Sequence, residues 1–377
     1  MKMKEVPRGT KDFLPQEASL KREIERDTVD IFASWGYREV VTPTLEYLEV
    51  IEAGAGTNIR DELFLVQDRD GRLLALRPEM TIPIARVVST KLKDARFPLR
   101  LFYSANIFRH TETQTGRYKE FYQLGVELMG ATGVRADAEV ISLAGEVLDR
   151  QRVEYIISIN HIGIFNGLLD QSGLEPSAKE AIKRMVLHKD LVGLEQILTG
   201  LPLESSLGHV LLAMPVAHGD LEVLKVLEPV GTWPGVKEAI EELSSVYRLL
   251  ESYGLAEKIV VDLGVLRGFD YYTGIVFEGY SPRLGYPLLG GGRYDNLLAK
   301  FGFPCPATGF ALGLERLLLV IKEPRDKKVE RFLVSGSEPE AVYREARRLR
   351  DMGLIAEVNL NPDEGGEPVT VVPLEDN

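Results

Sequence analysis

The chain has 377 residues, of which 45% are hydrophobic, so it can fill one large core with smaller satellites and is expected to form two or three domains. Its 45 basic and 57 acidic residues give a formal net charge of -12, which excludes the global basic footprint of a protein that wraps nucleic acid. The single cysteine, Cys305, excludes an internal disulfide and a cysteine-based metal site, and it is typical of the reduced cytoplasm. The N-terminus lacks the apolar segment of a secretion signal, and no window approaches the roughly 20 apolar residues of a membrane span. Secretion and membrane insertion are therefore not expected.

The first hundred residues alternate helix and strand patterns behind an extended, proline-bracketed arm. An amphipathic helix is predicted from about Glu17 to Trp35, and Gly36 ends it. The elements predicted next are a strand (Arg38–Val41), a helical turn (Leu45–Ile51), two strands joined by a turn (Leu63–Gln67 and Leu73–Leu76) and a helix (Ile82 to about Leu92). Thr81 is predicted to cap this last helix, because hydroxyl side chains satisfy the free N–H groups of a first turn.

Residues 97 to 130 are predicted to form a long hairpin, with strands Arg100–Phe108 and Glu120–Met129 around a polar loop. Side chains alternate faces along a strand, so one face of the second strand carries Phe121, Gln123, Gly125 and Glu127, and the other carries Tyr122, Leu124 and Val126. A glutamine and a glutamate beside a glycine that leaves room for a ligand suit a small polar molecule bound on the sheet. A solvent-exposed strand face is the alternative interpretation.

The rest of the chain is predicted to return to strands after a long helical stretch. The predicted elements are a helix (Ala136–Arg150), a strand (Tyr155–Asn160), a helical insertion (about 163–257), three strands (Ile259–Asp262, Thr273–Tyr280 and Tyr286–Leu289), a glycine turn (Gly290–Gly292) and a buried helix (Thr308–Ile321). Residues 331 to 377 indicate a short strand–helix–strand segment. Because the strands are mostly linked as hairpins with helices grouped beside them, the fold class is predicted to be α+β with an antiparallel sheet.

Three common ligand motifs are missing from this sequence. The glycine triplet does not fit the dinucleotide fingerprint, and no Walker A segment is present. The five histidines show no metal-ligand spacing, so neither a metal site nor a cofactor is predicted.

Six segments occur in the order found in histidyl-tRNA synthetases and their paralogues. They are LRPEMT (76–81), IFRH (107–110), GRYKEFYQLGVELMG (116–130), LRGFDYYTG (266–274), GGGRYD (290–295) and GFALGLER (309–316). The resemblance spans roughly residues 5 to 322 and implies a class II aminoacyl-tRNA synthetase-like antiparallel sheet flanked by helices. It implies a core over residues 1–322, a truncated α/β domain over 331–377, and a homodimer whose interface includes the motif 1 equivalent, Gly36–Pro43.

The same resemblance implies a histidine-binding pocket. Its residues would be Glu79, Thr81 and Gln123 at the ammonium and backbone end, Arg109 and Arg267 at the carboxylate, Glu127 and Tyr272 at the imidazole, and Tyr271 as a wall. Arg109 and Arg316 would stand where synthetases hold the ATP phosphate and stack on the adenine.

Three departures favour a non-synthetase paralogue. The motif 2 loop reads Thr111 to Arg117 without the usual pattern, and Glu112 places an anion where RNA and nucleotide phosphates would approach. Only 47 residues follow position 330, too few for an anticodon-binding domain, and residues 362 to 377 contain five acidic residues and no basic one. The run Met80 to Arg86 is similar to that of ATP phosphoribosyltransferase regulatory subunits.

This resemblance implies a cytoplasmic, non-catalytic subunit that binds L-histidine and associates, as a homodimer within a hetero-oligomer, with a short-form catalytic subunit. Such a subunit would be required for catalysis in the first step of histidine biosynthesis and would convey feedback inhibition by histidine. No catalytic residue, nucleic acid or membrane is expected. Two alternatives stay open: a truncated histidyl-tRNA synthetase that forms histidyl-adenylate, which Arg267 favours, and a stand-alone histidine sensor.

Overall fold

The computed structural model describes residues 4–110, 118–266, 271–321, 330–361 and 367–374. The chain forms two compact units, Met1–Glu323 and Pro324–Asn377. Within the part of the chain that the structure describes, no helix has both the length and the apolar character needed to cross a bilayer.

The larger unit contains twelve of the described strands and ten of the described helices. In chain order, the strands are β1 (Arg38–Glu39), β2 (Leu45–Tyr47), β3 (Leu65–Gln67), β4 (Leu73–Leu76), β5 (Leu99–Phe108), β6 (Glu120–Met129), β7 (Ile156–His161), β8 (His218–Gly219), β9 (Ile259–Asp262), β10 (Ile275–Tyr280), β11 (Leu289–Arg293) and β12 (Ala307–Gly313). The helices are α1 (Pro15–Ser34), α2 (Leu48–Ala55), α3 (Thr81–Lys91), α4 (Val134–Arg150), α5 (Ile162–Gln171), α6 (Pro176–Leu187), α7 (Leu191–Thr199), α8 (Ser205–Ala213), α9 (Val236–Ser252) and α10 (Leu314–Val320).

Nine strands form one sheet in the order β1-β5-β6-β12-β11-β10-β7-β9-β8. Its pairs are antiparallel apart from β1 with β5 and β7 with β9, so the predicted α+β class with an antiparallel sheet is confirmed. A separate small sheet has the order β2-β4-β3.

The hairpin β5–β6 separates two cores. On one face Leu124, Val126 and Leu128 join a cluster with residues of α1 and α4. On the other face Tyr103 and Ile107 pack with residues of α2 and α3. The alternation predicted for the second strand is therefore confirmed, and the odd-numbered residues of β6 face away from the α1–α4 core.

Two predictions around the glycine triplet are wrong. Gly290–Gly292 is not a turn but the centre of β11, hydrogen-bonded between β10 and β12. The predicted helix Thr308–Ile321 is a strand followed by a helix, β12 and α10. All five residues of β11 and five of the seven residues of β12 are buried, so the run has no polar alternation to mark it as a strand.

Smaller differences also arise outside the central sheet. The predicted helical turn Leu45–Ile51 divides into β2 and the start of α2. The insertion is helical as expected, except that His218 and Gly219 pair with the end of β9. The smaller unit forms β13 (Arg331–Ser335), α11 (Pro339–Asp351), β14 (Ile355–Val358) and β15 (Thr370–Leu374), with the sheet order β14-β13-β15.

Close packing of the central strands predicts a position-specific response to alanine. A Cβ at Gly291 would collide with the Gly309 carbonyl and lie 2.7 Å from Phe310 Cα, whereas a Cβ at Gly285 would meet nothing within 4 Å. Gly291→Ala should lower the free energy of unfolding by roughly 1 to 3 kcal/mol, and Gly285→Ala should leave it nearly unchanged. Urea unfolding followed by tryptophan fluorescence measures this in the larger unit, which contains both Trp35 and Trp233. Equal effects of the two substitutions would contradict the packing described for β11.

Candidate ligand-binding site

A cavity of about 600 Å³ opens on the face of the central sheet that is turned away from α1 and α4. Eight of the nine residues proposed from the sequence line this cavity: Glu79, Thr81, Arg109, Gln123, Glu127, Tyr271, Tyr272 and Arg316. The ninth, Arg267, lies outside the described residues, as does the loop 111–117. The fold thus gathers into one cavity the residues that the sequence places on separate segments.

Small residues form the floor of the cavity. The strand registers place Gly309 beside Glu127, and Ala311 between Gly125 and Gly290. Without bulky side chains on these strands, polar groups of β6 stand next to open space. Gly125 itself leaves no room for a ligand, contrary to prediction, because a Cβ there would collide with the Tyr103 hydroxyl.

Glu79 provides the cap of α3 that had been predicted for Thr81. Its Oε2 accepts from the Thr81 N–H at 2.8 Å and its Oε1 accepts from the Ile82 N–H at 2.7 Å. Thr81 is instead the first helical residue, and its hydroxyl is free to turn toward the sheet. Burial raises the pKa of Glu79, while the hydrogen bonds from Ile82 and Thr81 oppose that rise.

Buried Arg77 holds the segment that carries Glu79. Its Nη1 donates to the Thr42 carbonyl at 2.8 Å, and its Nε donates to the Asn106 carbonyl at 2.9 Å. The Phe108 N–H donates to the Arg77 carbonyl at 2.9 Å. The start of α3 is therefore fixed to β5, with the Glu79 carboxylate aimed at the cavity.

Glu127 is the deepest carboxylate of the site, with only 1% of its surface exposed. The Thr81 hydroxyl donates to its Oε1 at 2.7 Å, and the Tyr294 hydroxyl donates to its Oε2. Position 309 must be glycine, because a Cβ there would collide with the same Oε2. Burial raises the pKa of Glu127 to about 8, so the carboxyl carries a proton over much of the neutral range.

The amide of Gln123 and two tyrosine rings border Glu127. Gln123 Oε1 is buried and has no hydrogen-bond partner among the described residues, so it is an acceptor available to a ligand. The rings of Tyr271 and Tyr272 lie 4.9 Å apart between centroids and form a wall. An ammonium group and a flat ring are the chemical features that suit these neighbours.

Two arginines line the cavity at other points. Arg109 Nη2 donates to the Pro78 carbonyl at 2.8 Å, and its Nε lies 3.8 Å from a Glu62 carboxylate oxygen. Arg316 Nη1 donates to the Pro287 carbonyl at 2.5 Å. Both guanidinium groups are thus oriented by backbone carbonyls before any anionic ligand arrives.

The lining residues that sequence reasoning missed include Tyr103, Tyr294 and Glu315. Both carboxylate oxygens of Glu315 accept from the Tyr122 N–H, at 2.9 and 3.1 Å, and burial raises its pKa to about 7. Tyr294 and Glu315 lie within the segments GGGRYD and GFALGLER, which is the one signal that could have identified them. Gly290 lines the cavity as well, whereas Gly291 serves strand packing.

Comparisons with known proteins agree with this fold. A family model described as histidyl-tRNA synthetase matches residues 9–317. An ATP phosphoribosyltransferase regulatory subunit of Moorella thermoacetica is 46% identical over 93% of this chain and 90% of the relative, and one of Desulfitobacterium hafniense is 40% identical over 95% and 92%. A crystal structure from Bacillus halodurans, titled an ATP phosphoribosyltransferase regulatory subunit/histidyl-tRNA synthetase, aligns with a TM-score of 0.85 and 35% identity over 95% of this chain and 93% of that chain.

The fold and the matched model define a protein of the histidyl-tRNA synthetase class, with the class II aminoacyl-tRNA synthetase-like sheet. The sequence identities of 46% and 40%, which extend over nearly the full length of the relatives, identify a narrower family within this class. The chain belongs to the family of ATP phosphoribosyltransferase regulatory subunits.

The buried carboxyl of Glu127 predicts a pH-dependent stability of the unliganded protein. Its pKa is raised on folding, so its contribution to stability is fully present below about pH 4.5 and is lost as pH rises through about 8. Between pH 6 and pH 9 this loss should amount to roughly 2 to 3 kcal/mol. Glu127→Gln should remove that part of the dependence, as measured by urea unfolding across this pH range.

The control for this experiment is Glu180→Gln, on an exposed position of α6. It should preserve the wild-type pH dependence, because water solvates its carboxylate in both states. If the free energy of unfolding of Glu127→Gln depended on pH as in the wild type, the pKa of Glu127 would not be raised on folding. That result would contradict the burial described here.

Proposed function

We propose that the cavity binds L-histidine, with the ring toward Glu127, the ammonium group near Glu79 and Gln123, and the carboxylate toward Arg109. The observation that carries this proposal is the buried Glu127 carboxyl, held by two hydroxyl groups on the same strand face as Gln123. Burial of a carboxyl is costly even where hydroxyl groups donate to both oxygens, and a ligand with a matched hydrogen-bonding group offsets part of that cost. An imidazole ring provides a donor and an acceptor nitrogen in one plane.

We further propose that this chain is a non-catalytic, cytoplasmic subunit that works with a separate short catalytic subunit of ATP phosphoribosyltransferase. The names of its relatives, which are regulatory subunits of that enzyme, support this assignment. In this role the chain is required for catalysis by its partner and conveys inhibition by histidine. A difference of about 1 to 3 kcal/mol in histidine affinity between two states of the assembly is enough for such regulation.

The distribution of charge supports a regulatory role over RNA binding. The chain carries a net charge of -12, and its helical insertion, residues 163–257, contains seven basic and fourteen acidic residues. An RNA surface requires the opposite balance, because phosphate contacts provide most of the affinity.

Exposed apolar residues support the proposed homodimer. Strand β1 is an edge of the nine-stranded sheet, and Val41, just beyond it, has 80% of its surface exposed. Leu45, Tyr47 and Val66 on the small sheet are exposed as well. Apolar side chains concentrated near a sheet edge are typical of a protein interface.

The decisive experiment measures phosphoribosyl-ATP formation by the short catalytic subunit, alone and with this chain, over a range of histidine concentrations. The chain should restore activity, and histidine should then suppress it. Glu127→Gln should raise the histidine concentration for half-inhibition by about 10-fold or more, because it removes a hydrogen bond to a charged or proton-sharing group. The exposed-site variant Glu180→Gln should inhibit like the wild type.

Two results would overturn this proposal. Absence of any effect on the catalytic subunit would exclude the regulatory role. Histidine-dependent exchange of pyrophosphate into ATP by this chain alone would identify a truncated synthetase instead.

Removal of the smaller unit provides a separate test of the site's location. Every described residue that lines the cavity lies before position 317, so deletion of residues 331–377 should leave the dissociation constant for histidine within about threefold of the wild type. Isothermal titration calorimetry measures this directly. Loss of binding in a truncated chain that retains its helical circular dichroism would show that the smaller unit completes the site.

A further inference from the structure

Tyr294 lines the cavity and contacts Glu127, although the resemblance assigns it no role. The role inferred for it below rests on the proposed histidine site. We propose that Tyr294 is a positioning residue, whose hydroxyl fixes the Glu127 carboxyl and so determines the affinity of the cavity for an imidazole ring. The two oxygens of Glu127 are held by different donors, Thr81 on Oε1 and Tyr294 on Oε2. A carboxyl held at both oxygens cannot rotate about its last bond, so its free lone pairs point in fixed directions.

Tyr294 can hold Glu127 because its own position is fixed on both sides. The Tyr294 N–H donates to the Ala307 carbonyl at 2.8 Å. The preceding residue, Arg293, is anchored by a buried contact in which its Nε donates to Asp137 Oδ2 at 3.0 Å. The ring packs edge-on against Tyr271, with centroids 5.7 Å apart and planes at 69°. The hydroxyl is therefore held in place before a ligand binds.

The chemistry of imidazole explains what this hold achieves. A hydroxyl group can donate or accept, so the carboxyl can present either an oxygen acceptor or its own O–H to a ring nitrogen. The pKa of Glu127 is raised to about 8, and an ordinary imidazole has a pKa of about 6.5. Between these values the pair of groups shares one proton. Affinity should therefore be highest in this interval and should fall on both sides of it.

Several titratable or charged groups face the same cavity as Glu127. They are Glu62, Glu79, Glu278, Glu315, Arg109, Arg316, His110, Tyr103, Tyr118, Tyr271, Tyr272 and Tyr294. Glu79 raises the pKa of Glu127 further after burial, whereas the hydrogen bonds from Tyr294 and Thr81 lower it. Tyr155 provides a matched control away from the cavity lining, because it is also buried and its hydroxyl also donates to a carboxylate, Asp149 Oδ2, at 3.2 Å.

The test compares Tyr294→Phe with Tyr155→Phe in the full-length chain. The first readout needs no ligand: it is the infrared band of the protonated carboxyl, taken as the difference between each protein and the same protein carrying Glu127→Gln. Loss of a donor should raise the midpoint of this band by about one pH unit in Tyr294→Phe and should leave it in place in Tyr155→Phe. Replacement of Tyr294 by 3-fluorotyrosine, a stronger donor of similar shape, should move the midpoint down.

The second readout is histidine affinity by calorimetry between pH 6 and pH 9. Tyr294→Phe should bind histidine about 10-fold more weakly at pH 7, and its affinity should decline at a higher pH than that of the wild type. Tyr155→Phe should match the wild type. A weaker affinity with an unmoved infrared midpoint would overturn the proposal, since Tyr294 would then act through packing alone. A shifted midpoint of the infrared band in a protein that binds no histidine would confirm that Tyr294 positions Glu127. It would refute histidine as the ligand instead.

Discussion

The burial of the Glu127 carboxyl is the constraint on which the rest of the site depends. A carboxyl removed from water needs donors at both oxygens, and here they come from α3 and from the residue that follows β11. Each donor imposes its own requirement on the fold. Thr81 reaches the sheet because Glu79 takes over the capping of α3, and Oε2 has room because position 309 is glycine. Glycine in the neighbouring strand therefore leaves the space that a polar side chain needs at the centre of the sheet.

Sequence periodicity predicted the part of this arrangement that depends on one strand alone. The alternation along β6 correctly separated Gln123 and Glu127 from Leu124 and Val126, because the strand has a polar and an apolar face. The same reasoning failed for β11 and β12, where nearly every residue is buried and no alternation of polar and apolar residues remains. Gly290–Gly292 was interpreted as a turn because glycine is unfavourable in strands, yet it allows neighbouring strands to approach.

Other parts of the site could not be predicted from local patterns, since they depend on contacts between distant segments. Gly125 was expected to make room for a ligand, but Tyr103, from the neighbouring strand, fills that space. Thr81 has a hydroxyl side chain of the kind that caps helices. Only the position of Glu127 explains why this hydroxyl points to the sheet instead. The resemblance to synthetases identified eight of the lining residues, on separate segments, because it carries three-dimensional information that periodicity lacks. It still gave no reason for Tyr294, whose role follows from a hydrogen bond.

The convergence of separate segments also explains how a pocket of this kind suits regulation. Its lining comes from the start of α3, from β6 and from the residues around β11 and β12, which are joined by hydrogen bonds through Glu127. A ligand that completes the contacts of Glu127 and Gln123 would favour the arrangement in which these segments are correctly spaced. Binding energy would then be available to shift the population of an assembly without any bond being made or broken. A binding site retained on a synthetase-like sheet needs only this differential affinity to act as a sensor.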